Sequence, residues 1–162
     1  MHTASPTANN PPQSSINTKL NHCSNSSSSD SNQLEGIQLF QEQGSTGCSV
    51  ETTDVFEKWW DTLSEATQIK VATVITLLQK LGVGLPSPYS SKIKGSKLCT
   101  HLRELRVQGH PYRILYAFDP NRTAILLVGG NKTNSKRWYE NHICIAEQEY
   151  IAHICELQNI QT

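Results

Sequence analysis

The chain lacks any excess of charge: its 162 residues hold 14 lysines and arginines against 14 aspartates and glutamates. A generally basic coat for nucleic acid is thereby excluded, although a local one is not. No stretch is long and apolar enough to span a membrane, and the first residues are too polar for a signal peptide, so a cytoplasmic home is expected. The five cysteines (Cys23, Cys48, Cys99, Cys144, Cys155) are odd in number, scattered and without a CxxC pair. That argues against a disulfide framework and for free thiols in a reducing compartment. The triplet His-Ile-Cys does recur, at His142–Cys144 and His153–Cys155. Residues two apart on a helix point in different directions, and no second ligand pair accompanies them, so neither metal nor cofactor is expected. Met1 is the sole methionine, so a shorter product would have to begin at a non-Met codon such as that of Val50.

Large apolar residues are also nearly absent before Gly36–Phe40, and the run SNSSSSDSN fills Ser24–Asn32. Such a segment buries too little surface to offset its ordering entropy, so residues 1–46 are expected to be a disordered tail ahead of one folded domain, 47–162. The domain opens on CSVETTD, β-branched like a short first strand. Asp54 followed by Glu57 reads as a helix start, with Phe56, Trp59, Trp60 and Leu63 at helical spacing. Ser64 before Glu65 marks a fresh N-cap and a break. Ile69, Ala72, Ile75 and Leu78, broadened by Val71, Val74 and Leu81, make a stripe wide enough to cover a sheet, and Gly82 stops it. VGLPSPYSSKIKGSK reads as a loop that turns basic. Strands are expected at Leu102–Val107, Tyr112–Phe118 and Thr123–Val128, and their short links (QGHP, DPNR) make antiparallel neighbours. A last helix should run from about Arg137 to Leu157, with Tyr139, Ile143, Ala146, Tyr150, Ile154 and Leu157 on one side. The fold class is α+β: an N-terminal helical hairpin packed on a small antiparallel sheet of three to four strands, closed by a C-terminal helix.

The neutral total conceals segregation. Between Tyr89 and Tyr139 stand Lys92, Lys94, Lys97, Arg103, Arg106, Arg113, Arg122, Lys132, Lys136 and Arg137, against only Glu104 and Asp119. The flanking helices are acidic. One basic face for a polyanion, or simply a solvated surface, would both produce this pattern. Alternation narrows it. Leu105 and Val107 point to one side of their strand and Glu104 and Arg106 to the other; Arg113 shares its side with Leu115 and Ala117. Pairing around QGHP brings Arg106 near Arg113. Either Glu104 neutralises these arginines on an open sheet face, or they await an external anion, for which phosphate fits the planar guanidinium best.

The row LRELR…G…YRILYAFDPNRTAILLVGGNKTNSKRWYE, preceded by KGS, resembles the HigB-like toxins of the RelE/ParE toxin–antitoxin superfamily, over about Ser49 to Leu157. The resemblance implies that superfamily's fold, with its first edge strand on Ser49–Thr53. It implies the toxin of a type II toxin–antitoxin system: a ribosome-dependent endoribonuclease that cuts messenger RNA and inhibits translation, silenced by a helix-turn-helix antitoxin from an adjacent gene. On that likeness Glu104 is the general base, Arg106 and Arg113 clamp the transition state, and Lys132 contacts phosphate or leaving group, without a metal. RelE itself uses a lysine near the position of Glu104, although some relatives employ a carboxylate there. Relatives also place a functional tyrosine near Tyr139, whereas periodicity puts Tyr139 in the core. Lys92, Lys94, Lys97, Arg103, Lys136 and Arg137 are expected RNA or ribosome contacts. Trp59 and Trp60 read as core or antitoxin contacts; His101 and His110 are residue types able to shuttle protons, His110 reading first as a turn residue. The alternative within the superfamily is a non-nucleolytic ParE-like gyrase inhibitor, or an inactive relic that only binds antitoxin.

Overall fold

In the computed structural model, which describes residues 47–133, 135 and 137–161, Thr53 ends a strand and starts a helix. The strand is β1 (Val50–Thr52) and the helix α1 (Asp54–Asp61). The Thr53 hydroxyl donates to the Leu127 carbonyl at 2.7 Å and accepts the Phe56 amide at 3.3 Å. Thr53 is therefore the N-cap one residue before the expected Asp54, and Asp54 and Glu57 occupy the first turn, where their charge favours the exposed amides. The expected break is present: Ser64 caps α2 (Glu65–Leu81) by accepting the Thr67 amide, and Gly82, at φ 52°, ends it. The disorder expected of residues 1–46 and the contact role expected of Lys136 lie outside the described residues.

A 3-10 turn (Gly82–Gly84) leads to β2 (Ser90–Lys92), β3 (Arg103–Arg106), β4 (Tyr112–Phe118), β5 (Ala124–Asn131) and α3 (Trp138–Ile160). The sheet order is β1-β5-β4-β3-β2. Two expectations are corrected. The sheet has five strands rather than three to four, and it is mixed, because β1 runs parallel to β5 and precedes the helical pair. The unforeseen strand is β2, inside the stretch read as a loop. Its Ser-Ser-Lys carries no apolar alternation; what makes it a strand is pairing with β3, Ser90 opposite Leu105, Ser91 opposite Glu104 and Lys92 opposite Arg103.

The sheet is covered on both sides. Phe56, Trp60, Val71, Ile75 and Leu78 from α1 and α2 pack on Leu105, Val107, Ile114, Tyr116 and Leu126. On the other face Trp138 and Ala146 of α3 pack on Leu115, Ala117, Ile125, Leu127 and Val128. Phe56, Ile75 and Leu78 are 0 % exposed, each contributing about 1.5–3 kcal/mol relative to exposure. A bulge between Leu115 and Tyr116 leaves Leu127 without a register partner, so Leu127 and Val128 both serve the α3 side. The paired glycines that follow admit rings from opposite faces: a Cβ on Gly129 would lie 2.0 Å from the Trp59 ring, and one on Gly130 2.8 Å from Nε1 of Trp138. No helix among the described residues is long and apolar enough to cross a membrane.

Candidate functional site

Register assembles the site. β3 sets Arg106 directly opposite Arg113 on β4, and β2 sets Ser91 opposite Glu104. The α3 helix lies over the same face, so the open floor expected for Glu104 is corrected: Glu104 is 2 % exposed. Tyr139, one residue into α3, reaches down to it.

Glu104 is saturated with donors. Its Oε1 accepts Nε of Arg106 at 2.6 Å and the Ser91 hydroxyl at 3.0 Å, and Oε2 accepts the Tyr139 phenol at 2.6 Å. Nη2 of Arg106 also forms an ion pair with Oε1 and donates to Ser91 Oγ at 3.1 Å. Burial pushes the carboxyl up, but the hydrogen bonds from Tyr139, Arg106 and Ser91, with the Arg106 charge, outweigh it and hold Glu104 below the usual carboxylate range. Such a group stays ionised. At 2 % exposure its oxygens offer a substrate hydroxyl no open path, and Oε2 accepts the Tyr139 phenol. Tyr139 packs against the α3-side core, as its periodicity predicts, and its phenol oxygen bonds Glu104.

Lys132 follows β5 and places Nζ 4.6 Å from the centroid of the Tyr139 ring. This cation–π contact occupies a ring face that a base would otherwise stack on. Arg113 differs from Arg106. Its Nη1 donates to the carbonyls of His110 at 3.0 Å and Tyr112 at 2.8 Å, while its buried Nε has no partner. Among the described residues no carboxylate pairs with it. Glu104 thus neutralises one arginine, while the other keeps a charge that no carboxylate among the described residues meets; its unfilled Nε is sealed from solvent.

The remaining expected residues divide by position. Arg103 points to the α1–α2 side, its Nε bonded to Ser90 Oγ at 3.1 Å, and Lys92 is its ladder partner, so neither joins Glu104. Lys94, Lys97 and Arg137 are exposed. His101 is exposed, and the His110 ring stacks on Tyr112 at 6.2 Å, as a turn residue would. Trp60 is core and Trp59 packs against Gly129. Sequence reasoning missed Ser91, which bonds both Glu104 and Arg106; treating the stretch before β3 as a possible edge strand would have found it. Among the described residues no group of three or more His, Cys, Asp or Glu could hold a metal ion, and Cys48, Cys99, Cys144 and Cys155 are free thiols.

A family model described as phage-derived protein Gp49-like matches residues 58–151, a span containing Glu104, Arg106, Arg113, Lys132 and Tyr139. The chain is 44 % identical over 93 residues to the candidate toxin HigB3 of Mycobacterium tuberculosis, covering 57 % of this chain and 81 % of that protein. It is 33 % identical over 114 residues to the candidate toxin HigB2 of the same organism, covering 67 % of this chain and 56 % of that one. Among solved structures, the archaeal RelE–RelB complex from Pyrococcus horikoshii OT3 superposes with a TM-score of 0.45 at 15 % identity, over 56 % of this chain and 100 % of that one.

Proposed function

The chain belongs to the Gp49-like family, and from that premise we propose that it is the toxin of a type II toxin–antitoxin pair, a ribosome-dependent endoribonuclease that cuts messenger RNA. Support comes from two relatives that carry the name of candidate toxins. The observation that carries the reaction is Arg113, charged and without a carboxylate partner among the described residues, directly opposite Arg106 and beside a Glu104–Tyr139 pair. A phosphodiester laid between the two guanidinium groups would have its charge met from both sides.

In the proposed reaction the 2′-oxygen forms a bond to the adjacent phosphorus, and its proton passes to Tyr139 Oη while the phenol hands its own to Glu104 Oε2. The phosphorus–O5′ bond breaks, and the departing oxygen takes a proton from Lys132. The products are a 2′,3′-cyclic phosphate and a 5′-hydroxyl. An ionised Glu104 held low by its donors is a reluctant base. The scissile phosphate remedies this by drawing Arg106 towards itself, which removes a donor and a charge from Glu104 at the moment a base is needed. The nucleophile is internal and arginines carry the charge, so no metal is required. Lys94, Lys97 and Arg137 meet RNA backbone around the site. A helix-turn-helix antitoxin from the adjacent gene silences the toxin.

Expression alone should arrest growth, coexpression of the neighbouring gene should relieve it, and Arg113→Ala should abolish toxicity in a protein that remains soluble. Undiminished toxicity of Arg113→Ala would remove the catalytic assignment. DNA damage with intact transcripts would favour the gyrase-inhibitor alternative.

A further inference from the structure

Glu147, in the middle of α3, is a buried acid, 8 % exposed, that the proposed reaction does not use. Its Oε1 accepts the Lys97 amide at 2.7 Å and the Leu98 amide at 3.0 Å, and shares the Ser96 hydroxyl, 2.7 Å away, with the Cys99 carbonyl at 2.6 Å. All three donors lie on one lobe between β2 and β3. The Ile93 amide closes the neck of this lobe on the Leu102 carbonyl at 2.9 Å. Gly95, at φ 97°, makes its turn, a conformation open to glycine without strain. Cys99, 3 % exposed, sinks its far side into the core beneath α3. Lys94 and Lys97 are left in solvent on a backbone that is fixed at neck, flank and crown.

A lysine-bearing loop that is free must be ordered when it meets a polyanion, and that ordering subtracts from affinity. We infer that Glu147 is a positioning residue: by gripping the Ser96, Lys97 and Leu98 donors it holds the lobe in the shape that meets the RNA backbone, so that Lys94 and Lys97 bind phosphates without a prior ordering step. The carboxylate acts through the lobe and does not touch RNA. This rests on the proposed RNA substrate.

The test uses the full chain acting on ribosomes programmed with a short messenger RNA. Glu147→Gln should raise KM with kcat unchanged, and flatten the dependence of log KM on log salt by about 1.4, as expected when two lysine–phosphate contacts to a single strand are lost. Hydrogen exchange at the Lys97 and Leu98 amides should accelerate in step. Lys97→Ala should raise KM in the wild-type background but not in Glu147→Gln. Ser96→Ala, which removes the hydroxyl shared by Glu147 and the Cys99 backbone, should shift KM in the same direction and serves if Glu147→Gln does not fold. Accelerated exchange with unchanged KM and salt slope would overturn the inference, as would a Lys97→Ala effect of equal size in both backgrounds. A wild-type chain that leaves ribosome-bound RNA uncut removes the substrate reading itself; wild-type cleavage with a Lys97 effect independent of Glu147 removes only the positioning role.

Discussion

The phenol of Tyr139 donates to Oε2 of Glu104 at 2.6 Å, joining the first turn of α3 to the floor of the sheet. Tyr139→Phe keeps the ring and removes that donor from a buried carboxylate. Leaving the acceptor unsatisfied should destabilise the fold by about 1–3 kcal/mol, read as a lower denaturation midpoint at constant m-value. Cleavage should fall through kcat. A neutral Tyr139→Phe would mean that the residue is only a core aromatic.

Arg113→Lys tests whether charge alone is enough at that position. Lysine keeps the charge but loses the planar guanidinium, whose Nη1 is held by the His110 and Tyr112 carbonyls. The expected result is a loss of kcat of at least about tenfold with a smaller change in KM, since a clamp on the transition state acts mainly on kcat. Equal kcat for the two residues would reduce Arg113 to a generic cation.

Acid should weaken the fold through Glu104. Its carboxyl lies below the usual range when folded, through the donors that overcome its burial. Its contribution is therefore present above the unfolded carboxylate pKa and lost as pH falls through the lower folded value. Glu147 acts with the same sign, because the Leu98 amide foremost, with Ser96 and Lys97, holds it low against the opposing effect of burial. Denaturation midpoints measured downward from neutral pH should show a steeper acid loss in the wild type than in Glu104→Gln. Parallel curves would contradict the folded-state shift.

Gly129→Ala should be costly, because the added Cβ would meet the Trp59 ring at 2.0 Å. Overpacking of this kind typically costs about 1–3 kcal/mol. Gly84→Ala, with nothing within 4 Å of its added Cβ, is the control and should leave the melting temperature nearly unchanged. Similar melting temperatures for the two variants would mean that Trp59 yields freely.

Much of this was legible in the sequence where the signal was local. Ser64 and Gly82 bounded α2 through cap chemistry, and short links set the antiparallel order of β3, β4 and β5. Alternation put Arg106 and Arg113 across one ladder. The losses were non-local. Three polar residues became β2 only because β3 offered them an edge, and Ser91 was hidden with them. The same distance effect hid the roof: α3 is amphipathic in the sequence, but nothing there says which sheet face it covers, so Glu104 was placed in the open rather than beneath Tyr139. Nothing local to Glu147 marks it off from the other acids of its helix; what does is the lobe it grips, some fifty residues away in the chain.

The central claim, RNA cleavage by internal 2′-hydroxyl attack between Arg106 and Arg113, is tested most directly by product ends. Purified wild type and Arg113→Ala would be incubated with messenger RNA on programmed ribosomes in the presence and absence of a metal-sparing substitute for magnesium, such as polyamine, that keeps the ribosomes assembled. The fragments' 3′ and 5′ termini would then be identified by mass spectrometry. The account predicts 2′,3′-cyclic phosphate and 5′-hydroxyl ends from the wild type under both conditions and none from Arg113→Ala. Fragments ending in 5′-phosphate, or the same fragments from Arg113→Ala, would contradict it.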